Sequence, residues 1–193
     1  MRINGTTLSM HKAYQYSDAD ISDVVDVINS ASKLYKDVVP SKALRDPFVD
    51  KKYILDEFND GVSFILMTKP RLPVAVMGYQ IFDDAFLIRH AYVVPEFQRM
   101  GYAQYLLDHI MLKAYGKQVL LGCFKDATWA VSFYRKNGFT EVDCEQALCL
   151  RRKYWRYGSD HISCSIVMRK TESGQRSSIS TLKSELDPDL IHG

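Results

Sequence analysis

The chain has 193 residues, enough for one domain with a full core, or for one domain and a tail. Hydrophobic residues make up 47% and charged residues 25%, an ordinary globular balance, and the net charge of +2 argues against a nucleic-acid-binding protein. No apolar run approaches the ~20 residues of a membrane helix. The opening MRINGTTLSMHKAY lacks the apolar stretch of a signal peptide, so the expected compartment is the cytoplasm and no membrane partner is expected.

In chain order, residues 11–16 read as a first strand. A helix follows, with Ile21, Val24, Val25, Ile28 and Ala31 on one face and Ser17 or Asp18 as its cap. KDVVPSKALRDPFV carries two prolines and reads as a loop. DKKYILDEFNDG reads as a short helix stopped by Gly61. VSFILMT, LPVAVMGYQIF and DDAFLIRHAYVV read as strands, the last entered through a hairpin turn at Asp83 and Asp84. A helix is expected from about Gly101 to Tyr115, ended by Gly116, and then a strand, KQVLLGCF. DATWAVSFYRKNGF reads as a helix capped by Asp126, with Asn137-Gly138 as a left-handed stop. Two long strands are expected at about 139–153 and 161–169. The order predicts a mixed α/β sheet with a parallel portion where strands and helices alternate.

Residues 1–170 thus form one expected domain. Residues 171–193 are dominated by serine, threonine and acidic residues and read as a flexible tail, with a short helix around ISTLKSEL as the alternative. Cys123, Cys144, Cys149 and Cys164 form no C-x-x-C pair and have no histidine at zinc spacing, so no metal is expected. They are read as small, buried, reduced residues in strands.

The stretch YVVPEFQRMGYAQYLL, residues 92–107, leaves a strand, turns, and enters a helix with a glycine at its start. Glycine in a helix costs roughly 1 kcal/mol relative to alanine, so a start that keeps one needs room for a close approach. A helix start presents unpaired N–H groups and the positive end of the helix dipole, which together bind phosphate. Gly101 and Ala103 keep the backbone accessible and Arg99 adds charge, making residues 98–104 a candidate pyrophosphate cradle. A Rossmann site does not fit, because G-x-G-x-x-G is missing and the preceding strands are linked by hairpins.

Q-x-x-G-x-A, at Gln98, Gly101 and Ala103 after an apolar strand, resembles the acyl-CoA signature R/Q-x-x-G-x-G/A of the GNAT N-acetyltransferase superfamily. FYRKNGF resembles that superfamily's next motif, A-x-x-x-Y-x-x-x-G-F, here Ala130, Tyr134, Gly138 and Phe139. The element order is similar across residues 8–170. The resemblance implies a GNAT fold: a mixed, mostly antiparallel central sheet with a splayed parallel pair and flanking helices. It implies acetyl-CoA as cofactor and direct transfer of acetyl to a primary amine in a ternary complex. A small amine, a protein N-terminus and a lysine stay open as acceptors, as does a non-catalytic acyl-CoA-binding module. A homodimer is expected only because relatives commonly form one.

By the same resemblance, Ala91, Tyr92 and Val93 would splay at a bulge and bond the pantetheine arm as an added strand would. Backbone groups of Arg99, Met100, Gly101, Tyr102, Ala103 and Gln104 would hold the pyrophosphate, with Gln98 at the head of the motif. Ala127 stands where many relatives have a cofactor-touching asparagine, so that contact is either absent or passed to Thr128. Tyr134 is the expected general acid near the CoA sulfur, a phenol of pKa ~10 against a thiol of ~8.5. Val93 N–H is the expected oxyanion donor.

The base is open. Strand alternation puts Arg89 on the face of Leu87 and Ala91, and His90 with Ile88 and Tyr92. Arg89 would suit an anionic group on the substrate. His90 is read either as a satisfied core histidine or as the base, and a water chain to bulk is a third route. Glu96 reads as a solvated turn residue. The acceptor site is expected around Tyr35, Lys36 and Arg45 and the run RRKYWRYG, with Tyr154 and Trp155. Cys123 has no base beside it to make it a nucleophile.

Overall fold

A computed structural model of the chain describes residues 2–3, 6–7, 9–13, 18–36, 38–41, 46–70, 72–155 and 163–170. The proposed tail at 171–193, Ser17, Arg45, and Arg156 and Tyr157 of the basic run lie outside the described residues.

Strands β1 (Arg2–Ile3) and β2 (Thr6–Thr7) pair as a small ribbon. Strand β3 (Ser9–Ala13) opens the main sheet, two residues earlier than expected. Helix α1 (Asp18–Ser32) and a 3-10 turn at Lys33–Tyr35 follow, then helix α2 (Lys51–Asn59). The Asn29 side chain clamps the backbone of Val49 through both of its groups, at 2.8 and 3.0 Å, and so ties the proline-bearing loop to α1. Asp50 caps α2, accepting from Tyr53 N–H at 2.7 Å.

Strands β4 (Val62–Lys69), β5 (Leu72–Ile81) and β6 (Ala85–Val93) form an antiparallel meander. Helix α3 (Tyr102–Met111), strand β7 (Gln118–Phe124), helix α4 (Thr128–Lys136), strand β8 (Phe139–Glu141), helix α5 (Cys144–Tyr154) and strand β9 (Ser165–Lys170) complete the described chain. The sheet order is β3-β4-β5-β6-β7-β9-β8, with β6 and β7 the one parallel pair among the described strands. This is the expected fold class, a mostly antiparallel mixed sheet with a splayed parallel pair. The splay is explicit in the register: β6 meets β7 only from Ala85↔Gln118 to Ile88↔Leu121, and beyond that the strands part.

Helices α3 and α4 cover one face of the sheet, where Tyr102, Leu106, Leu107 and Ile110 pack on Met77, Phe86, Ile88 and Leu121. Each of these fully buried helix side chains contributes about 2 kcal/mol. Helices α1 and α2 cover the other face through Ile21, Val24, Val27, Ile28, Ile54 and Phe58, with α5 beside them on Ala85, Leu87 and Leu120. Val27 takes the fully buried place expected of Val25, which lies half-buried at the edge of that face.

Three expectations are corrected. Residues 139–153 are not a strand: β8 stops at Glu141, and Asp143 begins α5 by accepting from Gln146 N–H at 2.9 Å. Cys144 and Cys149 are therefore exposed on a helix, whereas Cys164 is buried. Asp126 does not cap α4; the cap position is Ala127, with no side-chain bond. Helix α3 is shorter than expected, and Gly101 is its cap residue rather than part of its first turn.

Candidate active site

The break in the β6–β7 pairing opens a cavity of about 640 Å³. It extends from the start of α3, along the free part of β6, to the end of α1. Its floor depends on an irregularity in β6. Val76 pairs with Tyr92 but Gly78 pairs with Arg89, so one extra residue is inserted in β6 opposite Met77. His90 takes the strain, with φ of 47°. Gly78 makes the close approach possible: a Cβ there would stand 3.1 Å from Arg89 O and 3.3 Å from the Phe64 ring.

The bulge overturns the simple alternation. Arg89 and His90 both project toward α2, where Glu57 accepts from Arg89 at 2.8 and 3.0 Å and lies 2.6 Å from His90 Nε2. Arg89 also donates to Gln80 Oε1 at 2.8 Å. The His90 ring stacks on Phe64 and meets Tyr53 edge-on. Alternation resumes afterwards, with Ala91 and Val93 packed on the α3 side and Tyr92 on the α1 side. Ala91 therefore lies opposite Arg89, not beside it. Neither Arg89 nor His90 is among the residues that line this cavity; both are engaged with Glu57. Burial alone would raise the Glu57 carboxyl; the His90 and Arg89 contacts outweigh it and hold it below the usual carboxylate range.

At the cradle end, a 3-10 turn at Pro95–Phe97 leads into Arg99 and Gly101, with φ of 60° and 89°. The φ of Gly101 lies where side-chain-bearing residues are strained, although an added Cβ would meet nothing within 4 Å. Gln98 Nε2 donates to Val93 O at 3.2 Å and so pins the turn to the end of β6. Gln104 bridges α3 to α4 through Asn137 Oδ1 at 2.8 Å. The first N–H groups of α3 have no intrahelical acceptor, and Tyr102, Ala103 and Gln104 of that first turn line the cavity.

Ala91, Tyr92, Val93, Gln98, Arg99, Gly101, Tyr102, Ala103, Gln104, Tyr134 and Tyr35 all line the cavity. Met100 and Thr128 do not; both are exposed outside it. Lys36 is exposed beyond the 3-10 turn. Tyr154 and Trp155 are buried against the far part of the sheet, where Tyr154 Oη donates to Asp84 at 2.8 Å. Residues 151–154, expected at the end of a strand leading to the acceptor side, are instead the last turn of α5. Glu96 is exposed, as read.

Tyr134 is buried between Phe133 and Phe139. Burial, with smaller contributions from Cys123 and Tyr35, pushes its phenol well above the ordinary value, so it stays protonated. The Cys123 thiol is lifted to about 12 by burial, then by Glu141. It is therefore a poor nucleophile.

Tyr35, expected at the acceptor site, sits in an aromatic cluster that the sequence did not reveal. Tyr35 meets Phe124 and Trp129 at 5.4 Å each and Tyr92 at 6.3 Å, and Phe48 reaches Tyr92 at 6.4 Å. Burial lifts the Tyr35 phenol to about 12. Trp129 opens α4 and Tyr35 closes the turn after α1, 94 positions earlier, so no local pattern announces the pair. No Asp, Glu or His lines the cavity among the described residues.

Residues 60–141 match the family model of the acetyltransferase (GNAT) domain. In this chain the matched stretch runs from β4 to β8 and takes in the cavity-lining residues of β6, α3 and α4. Its fold is similar to that of a GNAT-family acetyltransferase from Staphylococcus aureus Mu50, at 18% identity and a TM-score of 0.65 over 85% of this chain and 98% of that one. It is also similar to the PaiA N-acetyltransferase of Thermoplasma acidophilum in complex with coenzyme A, at 17% identity and 0.62 over 86% and 99%. The ribosomal-protein-S18-alanine N-acetyltransferase of Escherichia coli gives 16% identity and 0.60 over 88% and 98%. No curated protein matches the chain in sequence. No described helix is long and apolar enough to cross a membrane.

Proposed function

We propose that the protein transfers acetyl from acetyl-CoA to a primary amine, by direct attack in a ternary complex. The observation that carries this reading is the continuity of one cavity from the α3 N-terminus, past the unpaired end of β6, to the Tyr134 ring. The residues present fit the cofactor: a glycine with its Cβ direction open, helix-start donors, and a strand end released from its parallel neighbour. Bound acetyl-CoA would supply an activated acetyl thioester.

The chain's part is then definite. Backbone N–H groups from Arg99 to Gln104 bind the pyrophosphate, with the helix dipole behind them. The Ala91–Val93 backbone orients the pantetheine arm, and Val93 N–H meets negative charge growing on the acyl oxygen. Tyr134 holds its proton at Oη and passes it to the leaving sulfur. Burial raises the phenol, so Oη keeps its proton until the sulfur leaves. With no described carboxylate or imidazole in the cavity, water takes the amine's proton to bulk. The aromatic end around Tyr35, Tyr92 and Trp129 receives the acceptor. A small amine rests on the enclosed aromatic walls; a protein N-terminus or lysine is the rival acceptor. The exposed thiols of Cys144 and Cys149 suit a reducing cytoplasm.

The test is a calorimetric titration with acetyl-CoA of the parent and of Gly101→Glu. Micromolar binding, about −8 kcal/mol, that disappears in the variant is the expected result. A folded, CoA-free parent that does not bind removes the cofactor and the catalytic roles with it. A parent that binds but acetylates no amine in a broad panel points to a non-catalytic acyl-CoA module.

A further inference from the structure

We infer that Glu57 is a positioning residue for the cofactor strand: by holding Arg89 and His90 on one face of the sheet, it fixes the bulge that presents Ala91–Val93 to the cavity. The inference rests on the acetyl-CoA reading above.

A non-glycine residue at positive φ persists only where its surroundings over-determine it. Around His90 those surroundings are specific. Glu57, 33 positions away on α2, binds the ring at 2.6 Å, and Phe64 and Tyr53 pack on it from two sides. The same carboxylate grips the Arg89 guanidinium in a forked contact, with side chains only 11–12% exposed. Two consecutive side chains on one face are possible only with the extra residue in place. If the bulge were lost, His90 would move to the apolar α3 side and Ala91, Tyr92 and Val93 would each exchange faces. Glu57 opposes that slip, because the slip would break its bond to His90 and leave a half-buried polar ring among Ile88, Met77 and Tyr102. Its effect on the cofactor is indirect, since it does not line the cavity.

The experiment compares Glu57→Gln with Asp84→Asn. Asp84 is a second carboxylate tie, holding Lys153 and Tyr154 of α5 away from the cavity. Two quantities are read: the acetyl-CoA Kd, and the ligand-free amide resonances of Ala91–Val93. Glu57→Gln is expected to weaken binding at least tenfold and to shift those resonances. Asp84→Asn is expected to leave both near parent values even if it lowers Tm. Glu57→Asp, which keeps the charge but shortens the reach, is expected to fall between and serves if the glutamine variant does not fold. A Kd for Glu57→Gln within twofold of the parent overturns the inference, as does equal weakening in Asp84→Asn. A parent that fails to bind acetyl-CoA instead sinks the cofactor reading, while shifted resonances would still report the tie.

Discussion

The two halves of β6 obey different rules. Ala85 to Ile88 is buried on both faces, paired on both edges, and strictly alternating. Arg89 to Val93 is half-buried, bulged, and free of β7. One nine-residue strand is thus core at one end and cavity wall at the other. The lesson is that the site was made by stopping regular pairing, not by adding a loop. Backbone groups released from a sheet can meet a ligand only if something else holds the strand, and here Glu57, Gly78 and Gln98 do.

This contrast predicts separable damage. The largest effect on stability belongs to the closed half. Phe86→Ala removes a fully buried ring from the cluster under α3 and should cost about 3–5 kcal/mol in denaturant unfolding. If cavity variants such as Tyr134→Phe destabilise as much, the division between halves is wrong. Tyr134→Phe should instead lower kcat about 100-fold, with acetyl-CoA affinity within twofold, once an accepted amine is in hand. An unchanged kcat would remove the general acid.

The smallest effect concerns pH. The Glu57 carboxyl is lower when folded than when unfolded, so its contribution is fully present above the ordinary carboxylate value, ~4.3. It is lost as pH falls through the lower folded value. Glu57→Gln should therefore flatten the acid limb of stability below about pH 5, read as a smaller change of Tm between pH 5 and pH 3. An identical acid limb in both proteins would mean that the carboxylate is not held by Arg89 and His90 in solution.

Most of the fold could be read locally. Helical spacing found α1, α3 and α4, and Gly61, Gly101 and Gly138 marked turns where the structure has positive φ. The cradle was legible because its requirement, a glycine at a helix start, is a property of a few neighbouring residues. Helix α5 was missed although it carries its own signal: Asp143 and Gln146 are spaced as a capping box, and α5 runs directly from there. Its weak apolar periodicity let a strand reading stand, and that error placed Tyr154 and Trp155 in the acceptor site.

By itself, then, the sequence determined the turns, most of the elements and their order, because these depend on backbone preferences within a few residues. Tertiary structure alone decided the rest. It set which face Arg89 and His90 occupy, since one inserted residue inverts a strand's alternation and local spacing does not reveal the insertion. It also joined Glu57 to His90 across 33 positions and Tyr35 to Trp129 across 94. Such partners are chosen by the packing of whole helices on a shared sheet, which no short stretch of sequence contains.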